Sequence, residues 1–345
     1  MSIRVVSAAG PEQARWWQQF VDGNSDATNF HRWGWKQVIE NAFGWPTWYL
    51  LAEEGGVTRG ILPLVWQKSR PFGSFVTSMP FLNAGGIVAE TPQVERLLLQ
   101  EAIAIASRLN ADHLELRHRS DHHLKFPTKT SKLVVRKAVS ADPDRMFREL
   151  DKKVRADVRK SQKSGFTAEF GGEEFLGDFY RVWAVNMRDL GTPVYEPNFF
   201  REIFHAFPTG THICRVRLGT ETVAASFLTG YRDTLEVSWS SSLHKYLPLK
   251  PNMFLYWNLL CFAGAQGYRI FDFGRSTAGS GTHKFKMQWG TEEFPLYWNY
   301  WLRRGTELPQ VNPQNPKYRL FIRVWQKLPV FLARWIGPRI ARCLP

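Results

Sequence analysis

Residues 271–290 read FDFGRSTAGSGTHKFKMQWG, and they hold side chains whose types and spacing suit chemistry. A short apolar strand (Ile270, Phe271, Phe273) carries Asp272 and then dissolves into Gly274, Arg275 and Ser276. The run from Ser276 to Gly281 is too small and polar to be core. Arg275 can hold a carboxylate or phosphate through two parallel hydrogen bonds, while Lys284 and Lys286 act as point charges. If the segment is extended, the alternation puts both lysines on one face and Phe285 and Met287 on the other. Asp272 and His283 are the nearest general bases for an ammonium acceptor, and with Lys286 they form the catalytic candidates. Each has a structural alternative. Asp272 can hold Arg275 or a backbone loop, His283 can be a structural histidine, and the lysines can guard an exposed strand edge.

A second stretch, SWSSSLHKYLPLKPNMFLYWN (238–258), ends a strand, turns, and begins a helix at Pro251 or Asn252. The first turn of a helix offers unpaired N–H groups and positive potential, suited to a phosphate or an oxyanion. His244, Lys245 and Lys250 add charge around that mouth, and a solvated loop with an Asn252 cap is the alternative. The strand at 268–274 lies one helical crossover from the strand at 234–242, so both stretches open into one cleft at carboxyl strand ends, by analogy with open parallel sheets. In DKKVRADVRKSQKSG, Lys152, Arg155, Arg159 and Lys163 share one helix face, either as a solvated surface or as a phosphate contact. No Ser/His/Asp or Cys/His arrangement stands out, which disfavours an acyl-enzyme, and no metal-ligand spacing is present.

The elements around these stretches form two similar halves in a chain of 345 residues, long enough for two domains. Helical patterns at 11–22 and 33–43 precede strands TWYLLAEE, GILPLVWQ and SFVTSMP, a helix from Pro92 to Asn110, and the strand DHLELRH. The second half starts with one helix in 143–163, whose buried stripe is Phe147, Leu150, Val154 and Val158. It continues through FTAEF, helices near 174–190 and after Asn198, and strands THICRVRL, TVAASFLTGY and TLEVSWSSS. A helix from Pro251 to Gly267, the strand YRIFDFG and a last strand PLYWNYWL complete it. Antiparallel strands followed by one strand–helix–strand crossover predict an α+β fold in each half, with the sheet splayed where the crossover begins.

Composition narrows the partners. A formal charge of +14 with 15 Trp and 25 Phe favours an anionic ligand: nucleic acid, a phosphorylated small molecule or an acidic lipid surface. Cys214, Cys261 and Cys343 are too scattered for a disulfide framework or a zinc site, which suggests a reducing compartment. The N-terminus lacks the apolar core of a signal peptide, and no run approaches the ~20 apolar residues that span a bilayer. These features predict a cytoplasmic protein, peripheral at the inner membrane if its tail binds lipid.

The stretches WYLLAEEGGVTRGILPLV…FVTSMPFLNAGG and AASFLTGYRDTLEVSWSSSLHKYLPLKPNMFLYWN…GYRIFDFGRST…HKFKMQWG resemble the two halves of the FemAB family over roughly residues 15–305. The D-F-G…F-K…W-G block is the most specific piece. It is similar to the FemAB-like group that accompanies exosortase/PEP-CTERM systems in exopolysaccharide-making bacteria, as is the tail segment NPKYRLFIRVWQKLP. The resemblance implies two tandem GNAT-like domains, at 1–140 and 141–305, each a mixed, mostly antiparallel sheet flanked by helices, followed by a basic aromatic tail at 306–345. It implies direct transfer of an acyl or aminoacyl group to an amine or hydroxyl of a cell-envelope or exopolysaccharide precursor. The donor is aminoacyl-tRNA or acyl-CoA, with no bound cofactor. The loop HKYLPLKPN lacks the glycine-rich turn expected for CoA. The family's F-K lysine falls on Lys286, a phosphate-contacting arginine on Arg188, and a loop tyrosine on Tyr246. A family lysine on the second N-terminal helix has no counterpart, since Ile39 stands there, and this departs from a muropeptide acceptor.

Two other readings compete with the enzyme. One is a non-catalytic module binding phosphate-rich ligands or nucleic acid such as tRNA; the other is a peripheral scaffold of a polymer-export assembly. The tail bears on the second. Lys317, Arg319, Arg323, Lys327, Arg334, Arg339 and Arg342 alternate with Phe321, Trp325, Phe331 and Trp335, with no acid among them. Pro329 and Pro338 cut it into short amphipathic pieces, which either pack across the two domains or lie on an anionic membrane surface.

Overall fold

The computed structural model describes residues 2–70, 72–305, 308 and 316–343. Of the tail expected over 306–345, residues 306–307, 309–315 and 344–345 lie outside the described residues. The chain divides into two compact units: residues 1–132 with 295–310 and 343–345, and residues 133–294 with 311–342. This differs from the expected boundaries at 140 and 305. The strand at 132–138 belongs mostly to the second unit, and the last strand returns to the first.

The first half contains β1 (Arg4–Ser7), α1 (Pro11–Gly23), α2 (Gly34–Phe43), β2 (Thr47–Glu54), β3 (Val57–Ser69), β4 (Gly73–Thr77), β5 (Val88–Ala89), α3 (Pro92–Arg108), β6 (His113–His118) and β7 (Thr128–Lys129). The second begins with β8 (Lys132–Ala138), α4 (Pro143–Glu149), α5 (Lys152–Gln162), β9 (Phe166–Gly171), α6 (Leu176–Asp189), α7 (Pro197–Ala206) and β10 (Thr211–Leu218). It continues with β11 (Glu221–Tyr231), β12 (Thr234–Ser242), α8 (Pro251–Ala265), β13 (Ile270–Thr277), α9 (Gly281–Met287), β14 (Glu292–Pro295), β15 (Tyr297–Leu302), α10 (Pro316–Gln326) and α11 (Val330–Ala341).

In the first unit the sheet runs β1-β2-β3-β4-β6-β15-β7, with β5 on β3. All its described pairings are antiparallel except β4–β6, which α3 connects as a crossover. Leu98, Ala102 and Ile105 of α3 bury against Leu50, Leu62, Val76 and Leu114 of the sheet. In the second unit the order is β14-β8-β13-β12-β11-β10-β9, and the single described parallel pairing, β12–β13, is bridged by α8. The fold is thus two α+β units in tandem, each with the crossover the strand pattern predicts.

The second unit covers both sheet faces. Val154 and Val158 of α5 join Leu255, Leu259 and Leu260 of α8 in one core. On α6 and α7, Phe179 meets Phe200 edge-to-face, and Phe199 and Phe200 meet Trp239 edge-to-face, as Phe227 does. The single helix expected over 143–163 is two: Leu150 takes an extended ψ of 148° at the end of α4, and α5 starts after Asp151. The apolar stripe survives the break because Leu150, Val154 and Val158 all stay buried.

Candidate functional site

β12 and β13 run together for three residue pairs, Thr234–Ile270, Leu235–Phe271 and Glu236–Asp272. Beyond them the backbone deviates on both strands. On β12 the register with β11 slips at Ser238, a bulge, and on β13 Gly274 takes φ of +71°. A Cβ at Gly274 would stand 2.6 Å from the Val237 carbonyl oxygen, so both the dihedral and the space require glycine. Asp272 is 2% exposed and holds this bend: its Oδ1 accepts from the Gly274 N–H at 2.8 Å and its Oδ2 from Arg136 Nε at 2.8 Å.

The segment after the bend corrects one expectation. It is not extended: Ser280 caps α9, accepting from the His283 N–H at 3.2 Å, and the helix carries Lys284 and Lys286 to different sides. Lys284 is exposed, whereas Lys286 is buried. The Lys286 ammonium donates to the Gly274 and Arg275 carbonyls, both at 3.0 Å. Burial pulls its pKa down from 10.5 to about 8, against the pull of Asp272 and Glu236, with Arg275 adding to the depression. It therefore remains largely charged at neutral pH. Ser276, two residues beyond Gly274, is 5% exposed and its hydroxyl has no partner among the described residues.

Asp272, Gly274, Arg275, Ser276 and Lys286 thus assemble at one strand end, as expected, but the other candidates are engaged elsewhere. His283 has both ring nitrogens committed. Nδ1 accepts from the Gly279 N–H at 3.0 Å, which leaves the proton on Nε2 to donate to Glu293 at 2.8 Å. Asp272 accepts one hydrogen bond on each oxygen, so both general-base candidates also hold local structure at the strand end. Arg188 is bound to its own unit: Nη1 donates to the Leu328 carbonyl at 2.7 Å and Nε to Asp189 at 2.6 Å. The Tyr246 hydroxyl donates to Glu221 at 2.5 Å, Lys245 pairs with the same carboxylate, and Lys250 pairs with Asp157. Lys250 sits in the left-handed region, φ 61°, immediately before α8, and its carbonyl receives the Met253 N–H at 3.0 Å. Asn252 occupies the first turn of α8, half-buried, and does not cap it, since Lys250 holds that place. The mouth of this helix is more neutralised than its sequence suggests.

Two contributors were not anticipated. Arg136 comes from β8, whose alternation KLVVRKA is a readable strand signal next to β13 in the sheet. Glu236, buried on β12 opposite Asp272, adds negative potential at Lys286, and nothing in its sequence context marks it.

The first unit holds a cavity of about 660 Å³, lined among others by His31, Glu95, Arg117, His118 and His122. Burial drives His31 down to about 4 and His118 to about 3, so both are neutral at pH 7. No group of His, Cys, Asp and Glu able to hold a metal ion occurs among the described residues, and none of their helices is long and apolar enough to cross a membrane.

Residues 148–287 match the family model described as an acetyltransferase (GNAT) domain, a span containing α5 to α9 and every element of the strand split. No curated protein matches the chain. Among solved structures, FemX is similar with a TM-score of 0.64 at 13% identity, covering 86% of this chain and 96% of that one. The C-terminal domain of a putative lysylphosphatidylglycerol synthetase from Agrobacterium fabrum is similar with a TM-score of 0.55 at 11% identity, covering 85% and 92%. A tandem GNAT protein from the clavulanic acid biosynthesis pathway gives 0.55 at 10%, covering 89% and 100%. The fold is common to this chain and these structures.

Proposed function

We propose that the second unit is the catalytic centre of an acyl- or aminoacyltransferase. The observation that carries this reading is Lys286, a buried ammonium pinned by two backbone carbonyls where β12 and β13 part. An ammonium has three N–H groups, and two are used, so the third remains to face a developing oxyanion. The acceptor amine or hydroxyl attacks the donor carbonyl carbon, a C–N or C–O bond forms, and the C–S bond of a thioester or the ester C–O bond of an aminoacyl-tRNA breaks. The proton lost by the acceptor goes to the leaving group by way of solvent, since Asp272 and His283 are both committed. Positioning and charge stabilisation carry the acceleration. The unpartnered Ser276 hydroxyl is suited to supply a second hydrogen bond to the substrate.

A cell-envelope or exopolysaccharide precursor is the acceptor we propose. Its support is the resemblance of the D-F-G…F-K…W-G block and the NPKYRLFIRVWQKLP segment to the exosortase-associated group, together with the fold similarity to FemX. The test supplies labelled acyl-CoA and aminoacyl-tRNA donors separately, with extracted envelope and polysaccharide precursors, and follows label transfer. Transfer from one donor class, reduced at least about 100-fold by Lys286→Met in a folded protein, is expected. Undiminished transfer in that variant, or anion binding with no transfer from either class, overturns the reading in favour of a binding module.

A further inference from the structure

We propose that α10 and α11 form an interfacial anchor that seats this protein on an anionic phospholipid surface. Both helices are fixed to the second unit by one edge. Trp325, Ala333, Gly337, Pro338 and Ala341 are buried; Ile322 lies against Gly191 and Gly337 against Val194. The Leu328 carbonyl accepts from Arg188, and Gln326 donates to the Asp189 carbonyl at 2.9 Å. Arg334 lies over the Tyr180 ring of α6, 5.2 Å from its centroid.

The opposite edges carry a second apolar stripe that is mostly exposed. On α10 Leu320 and Val324 are 64% and 54% exposed; on α11 Phe331 and Trp335 are 69% and 63% exposed. Each pair has i,i+4 spacing, so each helix turns one ridge of large apolar groups to solvent. Five of the ten exposed large hydrophobic side chains among the described residues fall within 320–335, too concentrated for the ordinary scatter of surface apolar residues. Around the ridges stand exposed Arg319, Arg323, Lys327, Arg334, Arg339 and Arg342, and residues 312–345 contain no acid.

This combination selects one occupant. A negatively charged surface suits the excess of basic over acidic residues in this segment, and a hydrocarbon layer suits the aliphatic side chains. Leu320 and Val324 gain nothing from stacking on nucleic-acid bases, but they gain from leaving water for the headgroup–acyl boundary. Pro329 separates the helices, and neither is long enough to cross a bilayer, so they lie along the surface. Phe331 and Trp335 suit the aromatic zone at that depth. The anchor is independent of which acyl donor or acceptor the second unit uses.

Flotation of the full chain with vesicles tests this. Vesicles of phosphatidylcholine containing about 30 mol% phosphatidylglycerol are expected to carry the protein upward at low salt, and pure phosphatidylcholine vesicles to leave it behind. The quadruple variant Leu320→Ser, Val324→Ser, Phe331→Ser, Trp335→Ser keeps its melting temperature and loses vesicle partitioning at least about tenfold. The variant Arg319→Glu, Arg323→Glu, Lys327→Glu loses at least about tenfold as well, which separates the charge requirement from the apolar one. Absence of flotation with anionic vesicles, or flotation of the quadruple variant like the native chain, overturns the proposal. So does binding of a single-stranded RNA that the same charge reversals abolish while vesicles are ignored.

Discussion

Glu115 and Asp272 stand at the same point of their two sheets, each closing a three-pair parallel ladder: Phe75–His113 to Thr77–Glu115 in the first unit, and Thr234–Ile270 to Glu236–Asp272 in the second. Two residues further, the units diverge. In the first, Arg117 folds back onto Glu115 at 2.5 Å, donates to the Met79 and Leu82 carbonyls, and lies 4.2 Å from the Trp298 ring centroid. Burial alone would raise the Glu115 carboxyl, but the Arg117 charge and hydrogen bonds from Tyr300 and Arg117 hold it below the usual carboxylate range. In the second, the equivalent position is Gly274, and the cation arrives from α9 as Lys286. A strand-borne arginine is spent on its own sheet. A helix-borne lysine, tied only to carbonyls, keeps its charge uncompensated by a direct carboxylate, and this difference makes the second split suited to chemistry.

The largest effect should come from removing the two cations. Arg117→Met leaves Glu115 buried and unpaired, and a stability loss of about 3–5 kcal/mol is expected in denaturant unfolding. Lys286→Met should instead spare stability at neutral pH while abolishing transfer; equal destabilisation by both variants would break the contrast. Titration separates the units next. His31 and His118, neutral in the fold, take up protons on unfolding once pH falls below about 6.5, so the first unit should lose on the order of 3 kcal/mol for each as pH drops towards 4. Lys286 acts with the same sign but in a more alkaline window. The unfolded lysine holds its proton to about 10.5 and the folded one releases it near 8, so native protein should gain about 3 kcal/mol relative to Lys286→Met as pH rises across that window. Unfolding curves at about pH 5, about pH 7 and about pH 10 would read both slopes.

Smaller effects sharpen the comparison. Gly274→Ala forces a Cβ against the Val237 carbonyl in a left-handed residue, and should cost about 2 kcal/mol and about tenfold in transfer. An unchanged melting temperature would show that the bend is not required. Smallest is His283→Ala: with both nitrogens used structurally, it should cost about 1 kcal/mol and less than about threefold in kcat. A loss of about 100-fold or more would restore it as a general base.

Most of the architecture was legible because it rests on local periodicity. TWYLLAEE, THICRVRL and TLEVSWSSS became strands over the expected residues, and Pro92 and Pro251 open the helices they were expected to open. The gathering of Asp272, Gly274, Arg275, Ser276 and Lys286 was also legible, since a single crossover places the strand end beside β12. The roles within that group were not. HKFKM alternates like a strand, but its Ser280 cap makes it helical, and the helix buries Lys286 while exposing Lys284. Arg188, Tyr246, Lys250 and His283 were reasonable candidates by residue type; each was claimed by a partner distant in sequence or across a turn.

By itself, then, the amino-acid order determined where strands, helices and the split must fall, because hydrophobic period and turn residues act over a few positions. Only the tertiary structure decided which charges stay unspent. Desolvation and pairing depend on neighbours far away along the chain, as Arg136 is from Asp272 and Leu328 from Arg188.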